Sequence, residues 1–138
     1  MITYKDIKDF DPGQLEALFL SVEWASGHFP EKLAAAMKNY GSVFSAWDGE
    51  RLVGLISAMD DGVMTAYIHY MLVDPAYQKQ GIGAELLRMA KAHYANYLRV
   101  LLVAMDEEIG FYAHAGFEAP EGKTVMQITS LWTYARKL

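Results

Sequence analysis

Gln78-Lys79-Gln80-Gly81-Ile82-Gly83-Ala84 is the stretch whose residue types lend themselves most directly to chemistry. An apolar run ends at Val73 and a helical repeat of apolar residues begins at Ile82, so the segment reads as a glycine-rich turn between a strand and a helix. The N–H groups of such a turn and of the first helical residues point the same way and attract an anion. Gly81 lets the backbone approach a phosphate with no side chain between, and Gly83 tolerates a tight start to the helix. Gln78, Lys79 and Gln80 add side-chain donors. On the glycines alone, a plain strand-to-helix turn is an equally good reading. A nucleoside-triphosphate P-loop would require Lys-Ser or Lys-Thr after the last glycine, whereas Ala84-Glu85 follows Gly83. A dinucleotide fingerprint would want glycine or alanine where Leu86 stands, and it usually opens its domain, whereas roughly seventy residues precede this turn.

Periodicity and punctuation give the secondary structure around the turn. Residues 1–7 alternate as a first strand, and Asp11-Pro12 offers an N-cap with proline at the first helical position. Leu15, Leu18, Phe19 and Val22 then form an apolar helical stripe. Pro30 opens a second helix through Leu33, Ala36 and Met37, which Gly41 is expected to close. Two apolar runs, 43–47 and 52–58, flank the hairpin signal Asp48-Gly49, and Asp60-Asp61-Gly62 repeats that signal before a third run, 63–73. An antiparallel meander results. Ile82, Leu86, Leu87, Ala90, Tyr94 and Tyr97 mark a crossover helix, and the uncharged run 100–104 is expected to pair in parallel with the preceding strand, buried on both faces. Residues 111–115 read as a short helix stopped by Gly116, and 124–128 as a last strand.

Composition narrows the function classes. The 138 residues fit one domain, 1–138, and a hydrophobic fraction of 53% with 21% charged residues is that of a packed α/β protein. There is no cysteine, which excludes a thiolate nucleophile and a disulfide framework. A net charge of -5 with no long Lys/Arg cluster gives no footprint for nucleic acid. No run reaches membrane-spanning length and the start lacks a signal-like pattern, so the expected address is cytoplasmic with no membrane partner. No metal is implied.

The run Val73-Asp74-Pro75-Ala76-Tyr77-Gln78-Lys79-Gln80-Gly81-Ile82-Gly83-Ala84-Glu85-Leu86-Leu87 resembles the acetyl-CoA motif of the GNAT (Gcn5-related) N-acetyltransferases, Gln/Arg-x-x-Gly-x-Gly/Ala after a strand. Phe111-Tyr112-Ala113-His114-Ala115-Gly116-Phe117 is similar to that family's second signature, Phe-Tyr-x-x-x-Gly-Phe. The resemblance implies a mixed, mostly antiparallel sheet flanked by helices over nearly the whole chain, and acetyl transfer from acetyl-CoA to a primary amine of a small molecule. Two alternatives stand beside it: a protein or peptide acceptor, and a non-catalytic coenzyme A-binding module.

The resemblance also implies roles. The diphosphate would rest on the turn amides at Gln80, Gly81, Ile82, Gly83 and Ala84, with Gln78, Lys79 and Phe111 close by, and the pantetheine arm would pair with Leu72 and Val73. Tyr112 stands where the family keeps a tyrosine that protonates the departing thiolate. The family's general base varies between members; His69, Glu23, Asp60 and Asp61 are the candidates, and His69 has a pKa suited to the task. Trp24, His28, Phe29 and Tyr67 offer an aromatic lining for the acceptor, with Asp60 on the same side. A homodimer is a further expectation, with the apolar stretch 128–134 as strand or interface.

Overall fold

The computed structural model describes residues 1–129. Its sheet has five strands in the order β1 (Ile2–Lys5), β2 (Ser42–Asp48), β3 (Arg51–Asp60), β4 (Thr65–Val73) and β5 (Arg99–Leu102). β1 to β4 are antiparallel neighbours and β5 runs parallel to β4, as the meander and crossover patterns require. The helices α1 (Pro12–Ser21) and α2 (Pro30–Asn39) cover one face, and α3 (Ile82–His93) covers the other.

Covering both faces explains why β2 and β3 read as unbroken apolar runs. Val43, Leu52 and Leu55 point to Leu15, Phe19 and Leu33, while Phe44, Val53 and Ile56 point to Ile82, Leu86 and Leu87. Removing a fully buried leucine such as Leu55 or Leu86 from either layer would destabilise the fold by about 2–5 kcal/mol.

Several expectations change. Asp11 stands at the start of α1, but its side chain makes no capping bond; its carbonyl accepts from Gln14 and Leu15 instead. Gly41 does not end α2 by a left-handed turn. A Cβ there would push the Asp60 carboxylate from its place. The run 100–104 is not buried on both faces: among the described residues β5 is an edge strand covered on one side, with Leu101 41% exposed. Residues 124–128 form no strand among the described residues, and 130–134, the rest of the expected interface stretch, lie outside them.

Two local distortions shape the α1/α2 face of the sheet. α1 ends in a Schellman motif, Trp24 N–H to Phe19 O at 3.1 Å and Glu23 N–H to Leu20 O at 3.0 Å, with Glu23 left-handed at φ 60°. A non-glycine residue there costs roughly 1–2 kcal/mol. The motif aims Trp24 at the sheet, where it packs beside Phe19 and Tyr70. In β4 the register steps from Tyr70 opposite Ser57 to Ile68 opposite Ala58, leaving His69 as the extra residue of a β-bulge.

Candidate active site

The turn after β4 is held rigidly from below. Asp74 is buried, accepts Arg51 Nη2 at 3.0 Å and the Ala76 N–H at 2.9 Å, and donates its own N–H to Val53 O. Tyr77 donates to Asp48 at 2.6 Å. Above this brace, Lys79 and Gly81 both adopt left-handed backbone, at φ 64° and 82°. Left-handed residues in a turn fold its N–H groups into a concave nest that suits an anion. Nothing lies within 4 Å of where a Gly81 side chain would begin, so the approach is open.

Phe111 comes to the same place from another element. Its ring lies 3.7 Å from the position a Gly83 Cβ would occupy, with Met71 at 3.4 Å and Val73 at 3.8 Å. The helix α4 (Ile109–His114) therefore stands against the start of α3, and Tyr112 follows, packed between Phe111 and Phe117. Burial, with help from the Glu108 charge, pushes the Tyr112 phenol up to about 12. It keeps its proton throughout the neutral range.

An open groove of about 450 Å³ runs along α3 from Ala84 past Leu87, Arg88 and Lys91, with Phe111 and His114 on its far wall. Arg88 is held by Glu85 at 2.8 and 2.7 Å, and Lys91 donates to Ala115 O at 2.6 Å. These two cations were not singled out from the sequence. Their spacing, about one and two helical turns beyond Ala84, was the available signal.

The parallel pairing of β4 with β5 stops at Ile68 opposite Leu102, so from His69 to Val73 β4 has no β5 partner along that edge. Leu72 and Val73 lie in this stretch, paired with β3 on one side and, among the described residues, with no strand on the other. The Val73 carbonyl already accepts Gln78 Nε2 at 3.1 Å, which ties the turn back to the strand end and gives Gln78 a bracing contact. Gln80, Ile82 and Ala84 continue the turn into α3, Ile82 buried beneath it.

On the α1/α2 face the bulge turns His69 and Tyr70 to the same side, their rings stacked at 4.1 Å, with Tyr67 5.8 Å from His69. Tyr40 meets His69 Nδ1 at 2.6 Å, and Tyr70 meets Ser26 at 2.8 Å. Trp24 is 6.1 Å from Tyr70 and so belongs to this cluster. His69 keeps an exposed edge, yet desolvation of the rest of the ring lowers its pKa. Tyr40, Tyr70 and Ser26 were missed from sequence, because a bulge leaves no mark on strand periodicity.

The remaining residues are placed elsewhere. Phe29 is 39% exposed at the start of α2, and His28 is exposed. Asp60 sits opposite Ala66 near the beginning of β4, where it accepts Tyr94 at 2.7 Å and the Gly62 N–H at 2.9 Å. Asp61 caps three amides of its own loop, which holds its carboxyl below the usual range. Both aspartates are built into loop and helix-end networks.

A family model of the acetyltransferase (GNAT) domain matches residues 9–137. The chain is 34% identical over 131 residues to a Glycine max protein named histone acetyltransferase TAP1, covering 83% of this chain and 55% of that protein. It is also 34% identical over 114 residues to a protein of Arabidopsis thaliana named GCN5-related N-acetyltransferase 2, chloroplastic, covering 66% and 44%. The chain thus spans about half the length of the curated relatives it matches. A solved GNAT family acetyltransferase from Streptococcus pneumoniae superposes with a TM-score of 0.81 at 28% identity, over 94% of this chain and 99% of that one. The two signatures, the five-stranded sheet and these matches agree, and the chain belongs to the GNAT acetyltransferase family.

Proposed function

We propose that residues 1–138 act as one domain that transfers acetyl from acetyl-CoA to a primary amine of a small molecule. The observation that carries this reading is the open, left-handed turn at Lys79 and Gly81, facing the start of α3 with Phe111 against Gly83. Acetyl-CoA, when bound, supplies an acyl group activated as a thioester. The turn amides from Gln80 to Ala84 hold its diphosphate, and Arg88 and Lys91 add positive charge along the groove. The Leu72 groups face Leu55 of β3, so it is the Val73 N–H, on the edge beyond β5, that is offered to a pantetheine amide.

The amine nitrogen attacks the acyl carbon, the carbon–sulfur bond breaks, and the leaving sulfur takes the Tyr112 hydroxyl proton, which solvent replaces. Tyr112 fits this role because its buried phenol is still protonated at neutral pH. The proton lost by the amine ends in solvent. His69, Trp24 and Tyr70 form the wall on which the acceptor rests, and an aromatic wall suits a cationic or aryl amine.

A second reading, a protein or peptide acceptor, draws support from the name of the Glycine max relative. Coenzyme A release measured against polyamines, arylalkylamines, amino sugars and lysine-containing peptides separates the two. Turnover confined to peptides would overturn the small-molecule reading, and coenzyme binding with no turnover would favour an idle binding module. Among the described residues no helix is long and apolar enough to cross a membrane. A cytoplasmic address and a homodimer belong to the same proposal.

A further inference from the structure

Behind the exposed edge of His69 stands a buried phenol. Tyr40 is only 6% exposed, and its hydroxyl lies 2.6 Å from His69 Nδ1. Turning the imidazole over would set a ring C–H against that buried hydroxyl, so the nitrogen belongs where it is. Burial raises the Tyr40 phenol far above its ordinary range, and the phenol therefore keeps a proton that needs an acceptor. Two atoms compete for it. His69 Nδ1 meets it at full hydrogen-bond geometry. Ser57 Oγ is buried and makes no hydrogen bond among the described residues, so it does not take the proton at bonding geometry. The order that pairs the buried Tyr40 hydrogen runs from the Tyr40 O–H to Nδ1. A neutral imidazole that accepts at Nδ1 carries its hydrogen on Nε2.

We propose that Tyr40 fixes neutral His69 as the Nε2–H tautomer, so that His69 serves the acceptor site as a hydrogen-bond donor and not as its general base. This rests on the reading that the His69 edge faces the acceptor. Desolvation of the ring favours the neutral form and works in the same direction. The titratable groups touching the ring are the phenols of Tyr40, Tyr67 and Tyr70, and among the described residues no charged side chain shifts its titration. A neutral imidazole kept as an N–H donor is a known way to polarise an oxygen in an active site. The acceptor amine then loses its proton to water, and the acid limb of the rate profile follows the pKa of the amine used.

The tautomer is read directly by long-range proton–nitrogen NMR of the whole chain carrying 15N-histidine, with the His69 signals identified by their loss in His69→Gln. A bare Nδ1 and a protonated Nε2 at neutral pH are expected; a protonated Nδ1 would overturn the proposal. Tyr40→Phe keeps the buried ring and removes only the hydroxyl. Its His69 signals should move toward a mixture of tautomers, and a tautomer unchanged in that variant would remove Tyr40 as the cause. In turnover, His69→Ala should lose about tenfold or more in kcat/KM and His69→Gln, which places an N–H near the Nε2 position, should recover most of it. A general base would leave both variants equally depleted, by about 10²–10⁴. The NMR readings need no turnover, so a failure of the acetyl-transfer reading would be seen separately.

Discussion

The two halves of the candidate site are built by different means. On the coenzyme side the groups are mostly backbone: left-handed Lys79 and Gly81, the first amides of α3, and the free edge of β4 beyond Ile68. On the acceptor side they are side chains from four separate places: Trp24 after α1, Tyr40 after α2, Ser57 on β3, and His69 with Tyr70 in the bulge of β4. Backbone amides look alike in every sequence that makes the same turn, so they suit a cosubstrate that does not change. Side chains can change one at a time without disturbing the turn, which suits an acceptor that does.

If that division holds, substitutions on one side should leave the other side's binding untouched. The largest effect is expected for Tyr112→Phe, a fall in kcat of about 10²–10⁴, with coenzyme A affinity by calorimetry nearly unchanged. An unaltered kcat would reduce Tyr112 to packing. Gly81→Ala meets no protein neighbour, so its effects are backbone strain and a methyl group set where the phosphate approaches. Roughly 1–2 kcal/mol of strain weakens coenzyme A binding by about 5–30-fold and leaves the acceptor KM where it was.

Trp24→Ala removes an aromatic neighbour from Phe19 and Tyr70. It also takes one aromatic face from the proposed acceptor wall, where a ring holding a cation is worth about 0.5–1 kcal/mol, so acceptor KM should rise about 2–5-fold at constant coenzyme affinity. A loss of coenzyme binding in this variant would break the division. The smallest effect is on stability. His69 has a lowered pKa when folded, so the unfolded chain binds protons more readily below its ordinary value of 6.5. The stabilisation is complete above that pH and fades as pH falls through the lower folded value. The Tm of the wild type should therefore drop more between pH 7 and pH 5 than that of His69→Gln, by differential scanning calorimetry.

The same division decides what could be read from the sequence. Gly81 and the helical repeat from Ile82 leave a mark because each occupies a position only certain residues tolerate, and the meander showed itself in Asp48-Gly49 and Asp60-Asp61-Gly62. Phe111, from the second signature, packs against Gly83. Tyr40 and Ser57 left no such mark. Their relation to His69 depends on a bulge and on long-range pairing, and a tyrosine before Gly41 reads as a helix end. Asp60 stands in a loop signal, and nothing in the sequence showed that Tyr94 from the far end of α3 reaches back to it. The exposure of Leu101 was hidden as well, because an uncharged run cannot say whether its second face is covered.

The central claim is that the turn at Lys79 to Gly83 recognises the diphosphate of coenzyme A, and calorimetry comparing coenzyme A with pantetheine tests it most directly. Coenzyme A should bind at least about 100-fold more tightly, a difference of roughly 2.7 kcal/mol, because only it carries the anion the turn amides are arranged to meet. Equal binding of the two, or binding of a nicotinamide dinucleotide that coenzyme A fails to displace, would contradict it.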